Sequence, residues 1–85
     1  MMEVLVLTKD ACPYCDQAKA LLTRMHIPFK TRKLNEDLTR EQVFEMCPGA
    51  RTFPQIIIGT NVIGGYDELT TYIETTGFNG TGHSL

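Results

Sequence analysis

The chain has 85 residues, 8 Lys or Arg against 10 Asp or Glu, and a formal charge of −2, which describes a single domain without the basic footprint of a nucleic-acid binder. A domain this small buries only about 60–65% of its unfolded surface, so a few Val, Leu, Ile and Phe must supply the core and little room is left for a second site. Met1-Met2-Glu3 leads into an apolar run of only four residues, without a basic leader and far short of the roughly 20 residues of a membrane span.

The expectation is a soluble, monomeric protein of the cytoplasm that is not exported. Its three cysteines are odd in number and too few for a disulfide framework, and a Cys-x-x-Cys pair in such a setting reads as redox-active.

In chain order, Glu3–Thr8 is rich in β-formers, and its continuous Val4-Leu5-Val6-Leu7 run suits a strand buried on both faces. Lys9-Asp10-Ala11 then forms a loop. From Tyr14 to Met25 the apolar residues Ala18, Leu21, Leu22 and Met25 recur at i, i+3, i+4 and i+7, which predicts an amphipathic helix. Pro13 suits its first position, where no N–H is needed. Asp16 falls in the first turn and Arg24 in the last, both favourable to the helix dipole, and Pro28 limits the far end.

Cys12 is therefore the expected N-cap. The free N–H groups and positive dipole end there favour a thiolate, and cysteines so placed have pKa values of roughly 3.5–7.5 instead of about 8.5. Cys15, three residues on, returns to the same face one turn later, within reach for a disulfide. This pairing predicts thiol–disulfide exchange.

Phe29–Leu34 reads as a second strand whose Lys30, Arg32 and Lys33 guard a sheet edge. Thr39 and Gln42 have capping-box spacing, so a short helix is expected over about Arg40–Cys47 with Val43, Phe44 and Cys47 inward, ended by Pro48-Gly49. Gln55–Ile58 and Val62-Ile63 flank Gly59-Thr60-Asn61 as a hairpin, and Gly64-Gly65 breaks the second strand. A last helix presents Leu69, Tyr72 and Ile73 on one face, with Gly77 as its C′ residue. Residues 1–76 thus form the domain, and 77–85, Gly-rich and without an apolar period, read as a flexible tail.

The order β-α-β-α-β-β-α gives an α/β fold, a mixed four-stranded sheet flanked by three helices in a thioredoxin-like layout. The Cys12 loop directly follows the first strand, at the sheet end where ligands of open α/β folds bind.

Lys9, Cys12-Pro13-Tyr14-Cys15, Thr52-Phe53-Pro54-Gln55 and Gly64-Gly65-Tyr66-Asp67 together resemble the glutaredoxins of the dithiol type, over nearly all the chain through Thr76. Phe53 stands where that family more often has a smaller aliphatic residue, and Cys47 lies outside the shared motifs. The resemblance implies a thiol–disulfide oxidoreductase that uses glutathione as co-substrate and holds no permanent cofactor or metal. It makes Cys12 the nucleophile and Cys15 the resolving thiol. Pro54 corresponds to a cis-proline that turns the Phe53 backbone towards Cys12, so that a substrate backbone can pair with it.

By the same resemblance Gly65, Tyr66 and Asp67 hold the γ-glutamyl end of glutathione, with backbone N–H groups for the carboxylate and Asp67 for the ammonium. Lys9 serves the glycyl carboxylate, with Arg40 and Arg51 as helpers, and Tyr14 lines the groove. Implied partners are disulfide-containing or glutathionylated proteins, ribonucleotide reductase among them.

Two other readings compete. One keeps the chemistry but has a flavoprotein reductase recycle the protein, as for a thioredoxin. The other is a metal or iron–sulfur carrier using Cys12, with Cys15 and Cys47. Apart from that, Cys47 reads as a small buried hydrophobe, His26 is expected to end the first helix, where a cation is mildly favoured, and His83 receives no role.

Overall fold

The computed structural model describes residues 3–78. Along the chain run β1 (Val4–Thr8), α1 (Pro13–Arg24), β2 (Lys30–Lys33), α2 (Arg40–Met46), β3 (Gln55–Ile58), β4 (Asn61–Gly64) and α3 (Tyr66–Thr76). The strands form one sheet in the order β2-β1-β3-β4. β1 pairs in parallel with β2 and antiparallel with β3, and β3 continues antiparallel to β4. This is the mixed four-stranded, three-helix, thioredoxin-like arrangement expected above.

Alternation along the two central strands divides the core into two clusters. Val4 and Val6 of β1 and Ile56 and Ile58 of β3 pack with Ala18, Leu22 and Leu69 from α1 and α3. Leu7, on the other face, joins Leu34, Leu38, Val43 and Cys47 beside α2. A strand needs apolar side chains on both faces only if both faces are covered, and β1 is. β2 has no such cover: Lys30, Thr31 and Arg32 are exposed along the sheet edge.

The helix ends follow local chemistry. Cys12 caps α1 in an extended conformation with Pro13 next in line. Thr39 caps α2 through the expected reciprocal pair, Gln42 N–H to Thr39 Oγ1 at 3.2 Å and Thr39 N–H to Gln42 Oε1 at 2.7 Å. Gly77 closes α3 in the left-handed region at φ 68°.

Three features differ from the sequence expectations. α1 stops before Pro28 can act, because His26 turns left-handed at φ 59°. The N–H of His26 then reaches Thr23 O, and that of Ile27 reaches Leu22 O at 2.9 Å, a Schellman end with His in the place glycine usually takes. Ile27 is thereby turned into the core and Met25 is left exposed. Phe44, expected inward, is 46% exposed, because a helix of seven residues offers one narrow face and Val43 takes it. Phe78, assigned to the tail, is only 2% exposed. Its ring lies 5.6 Å from that of Tyr72, so the packed region runs at least to Phe78, while residues 79–85 of the expected tail lie outside the described residues.

Candidate functional site

Cys12 and Cys15 are joined by a disulfide at the start of α1, with 5.2 Å between their Cα atoms. The Sγ of Cys12 also accepts the Cys15 backbone N–H at 3.2 Å, so the sulfur itself fills the role usually taken by a hydroxyl or carboxylate cap. Cys12 is 8% exposed and Cys15 1%. Of the two sulfurs, then, Cys12 is the one an incoming disulfide can approach.

The Cys12 Sγ lies 3.5 Å from the Phe53 carbonyl oxygen. An oxidised sulfur has no hydrogen to donate, so this is a van der Waals contact that places the Phe53 backbone beside the reactive pair. The Phe53–Pro54 peptide bond is cis, the geometry implied by the resemblance. Gln55, buried at the start of β3, donates from Nε2 to Thr52 O at 2.8 Å and so braces this turn from behind.

A groove runs from here to the start of α3, lined by Tyr14, Thr52, Phe53, Pro54, Gly65, Tyr66, Asp67 and Glu68. Tyr14, 58% exposed, faces Tyr66 with ring centroids 6.1 Å apart, and the two rings form its walls. Lys9, in the loop before Cys12, holds its Nζ 5.9 Å from the centre of the Phe53 ring, a cation–π contact. Arg40 and Arg51 border a narrow crevice that shares Thr52 and Phe53 with the groove. The residues expected to serve the site are thus gathered around Cys12 and Phe53, from separate stretches of the chain.

Two contributors were not anticipated. Glu68 accepts the Gly65 N–H at 2.8 Å, so the first turn of α3 is capped by its own carboxylate. The spacing Gly65-x-x-Glu68 could have signalled this, but a glycine N-cap hides the usual pattern. Lys33 bonds both Asp10 and Glu36 through Nζ, tethering the loop that carries Lys9 to β2. These bonds, that of Asp10 first, raise its pKa above the ordinary value.

Cys47 is kept apart from this site. It sits in the apolar cluster beneath α2, and burial pushes its thiol pKa up. Among the described residues no three His, Cys, Asp or Glu side chains come together as a metal site, so Cys47 does not join the pair at α1. No helix among them is long and apolar enough to cross a membrane.

The glutaredoxin family model matches residues 4–63. Glutaredoxin 3 of Escherichia coli (strain K12) is 36% identical over 69 residues, covering 81% of this chain and 83% of that protein. The solution structure of glutaredoxin from Brucella melitensis is 40% identical with a TM-score of 0.71, covering 88% of this chain and 80% of that one. A buckwheat glutaredoxin, solved as a complex with glutathione, is 25% identical with a TM-score of 0.74, covering 85% and 68%. The linked thiols at a helix start, the fold that holds them and this extent of likeness lead to one conclusion: the chain belongs to the glutaredoxins and is a thiol–disulfide oxidoreductase.

Proposed function

We propose that this oxidoreductase draws its electrons from glutathione and reduces both protein disulfides and glutathione mixed disulfides. The observation that supports this reading is the groove that starts beside Cys12 and ends at Gly65, Tyr66 and Asp67. A short peptide laid along it can pair with the Phe53 backbone as an added strand. One carboxylate would then meet Lys9, with Arg40 and Arg51 nearby. The other would meet the N–H groups of the first turn of α3, leaving an ammonium group to Asp67. Glutathione has two carboxylates and one ammonium, and the buckwheat relative was solved with it bound.

In this mechanism the Cys12 thiolate attacks one sulfur of a substrate disulfide. A Cys12–substrate disulfide forms, the old S–S bond breaks, and the departing sulfur leaves as a thiolate that takes a proton from water. For a glutathionylated protein the thiolate of a second glutathione attacks the Cys12–glutathione bond, releasing glutathione disulfide and the Cys12 thiolate. For a protein dithiol target the Cys15 thiolate displaces the substrate instead, leaving the Cys12–Cys15 disulfide. Two glutathione molecules then return it to the dithiol and depart as glutathione disulfide. The setting that suits this chemistry is a reducing cytoplasm, and enzymes that form a disulfide in turnover, such as ribonucleotide reductase, are the targets to try.

The test is to mix the oxidised protein with glutathione alone, remove the small molecules and count the thiols gained by the protein. Recovery of two thiols per chain with one glutathione disulfide formed is the expected result. Recovery only on addition of a flavoprotein reductase would favour the thioredoxin-like route.

A further inference from the structure

The end of the groove that should receive a carboxylate already holds one. Glu68 Oε1 accepts the Gly65 N–H at 2.8 Å, and the side chain lies over both glycines. A Cβ at Gly64 would meet Glu68 Cγ at 2.9 Å, and a Cβ at Gly65 would meet Glu68 Oε1 at 3.1 Å. The space that two glycines leave open beside the groove is therefore filled from within the chain.

Glu68 also stands between two clefts. One is the groove itself, and the other is a shallow cleft between β4 and α3 bordered by Val62, Ile63, Thr71, Tyr72 and Thr75. The residue is exposed, and one hydrogen bond plus the end of a helix dipole fixes an exposed carboxylate only weakly.

We propose that Glu68 sets the affinity of this site, as a built-in competitor for the carboxylate at the start of α3. The inference rests on the glutathione reading above. Two carboxylates at one helix start repel each other and divide the attraction of the same helix dipole. An incoming γ-glutamyl carboxylate binds fully only as Glu68 turns away, so ligand affinity is reduced by the work of displacing it. Glutamine keeps an oxygen for the Gly65 N–H and keeps the shape, but removes the charge. Asp67, which lies in the same groove, retains its own charge in that variant.

The experiment compares the wild type with Glu68→Gln on the mixed disulfide of glutathione with β-mercaptoethanol, at low and high salt. The expected result is a KM lower by about 2- to 5-fold at low salt, with kcat changed less than KM and the difference narrowing as salt screens the charges. A change in packing alone would not follow ionic strength in this way. Reduction of uncharged β-hydroxyethyl disulfide by the pre-reduced wild type, without glutathione, reports the competence of Cys12 apart from glutathione binding. Equal KM values at low salt would overturn the role of Glu68 while leaving the glutathione reading intact. If the wild type reduced β-hydroxyethyl disulfide but not the glutathione mixed disulfide, the underlying reading would fall and this inference with it.

Discussion

Cys12 and Cys47 both cap a helix, at opposite poles. Cys12 stands at the N-terminal end of α1, where its sulfur accepts a backbone N–H and lies against the Phe53 backbone at the edge of the groove. Cys47 stands at the C-terminal end of α2, where its own N–H reaches Val43 O at 2.8 Å and its side chain is sealed among leucines. The first environment supplies donors for a negative sulfur, and the second faces it with carbonyl groups and hydrocarbon. One side-chain type thus serves as reagent in one place and as packing in the other, and the helix end decides which.

The largest effect should come from Cys12→Ser, which removes the only sulfur of the pair that substrate can reach. Disulfide reduction and deglutathionylation should both fall by at least about a thousandfold, since no attack can begin. Rates measured in parallel for the two substrates would show it, and retained turnover would break the contrast with Cys47. Cys15→Ser is more selective. Deglutathionylation should persist, because glutathione can resolve the mixed disulfide, while reduction of protein disulfides drops by at least about tenfold. Equal loss of both would mean that Cys15 does more than resolve.

Cys47 should show the opposite chemistry. Its thiol should resist iodoacetamide in the native protein and react only after denaturation. Burial raises its pKa in the folded state, so the folded chain holds this proton more tightly than the unfolded one. The resulting stability is fully present below the ordinary thiol pKa and is lost as pH rises through the higher folded value. Urea midpoints taken across that alkaline range should fall less for Cys47→Ala than for the wild type, although that variant starts lower for loss of packing. The smallest effect is expected at the other end of α1. His26→Gly should stabilise the protein by about 0.5–1 kcal/mol, because glycine adopts a left-handed φ without the cost a side chain incurs. Thermal melting checks it, and a lowered Tm would mean that the His side chain contributes more than its backbone costs.

What could be read from the chain alone was what neighbouring residues decide. The Thr39–Gln42 cap, the Cys12 cap with Pro13 beside it, and the alternation of Val4 and Val6 against Leu7 depend on spacings of a few residues, and all are present. Features that depend on partners distant in sequence were hidden. Nothing near Phe78 signals that it will lie against Tyr72, and nothing near Lys33 signals that it will hold Asp10. The left-handed backbone of His26 and the cap from Glu68 were hidden for a different reason. Each performs a familiar helix-end task with an unfamiliar residue in place, a His where glycine is usual and a glycine N-cap where a hydroxyl is usual. The site's members were recognisable through the resemblance of four short segments. Their meeting around Cys12 required the parallel β1–β2 crossover and the turn into β3 that bring those segments to one end of the sheet.

The aromatic contact beyond α3 sets a practical boundary for anyone trimming this protein. Phe78 belongs to the same cluster as Val6, Leu22 and Leu69, so a version cut at Thr76, the last helical residue, would forfeit a plug of the hydrophobic interior. The minimal unit for expression or for fusion to another protein should therefore include Phe78, with any junction placed after it.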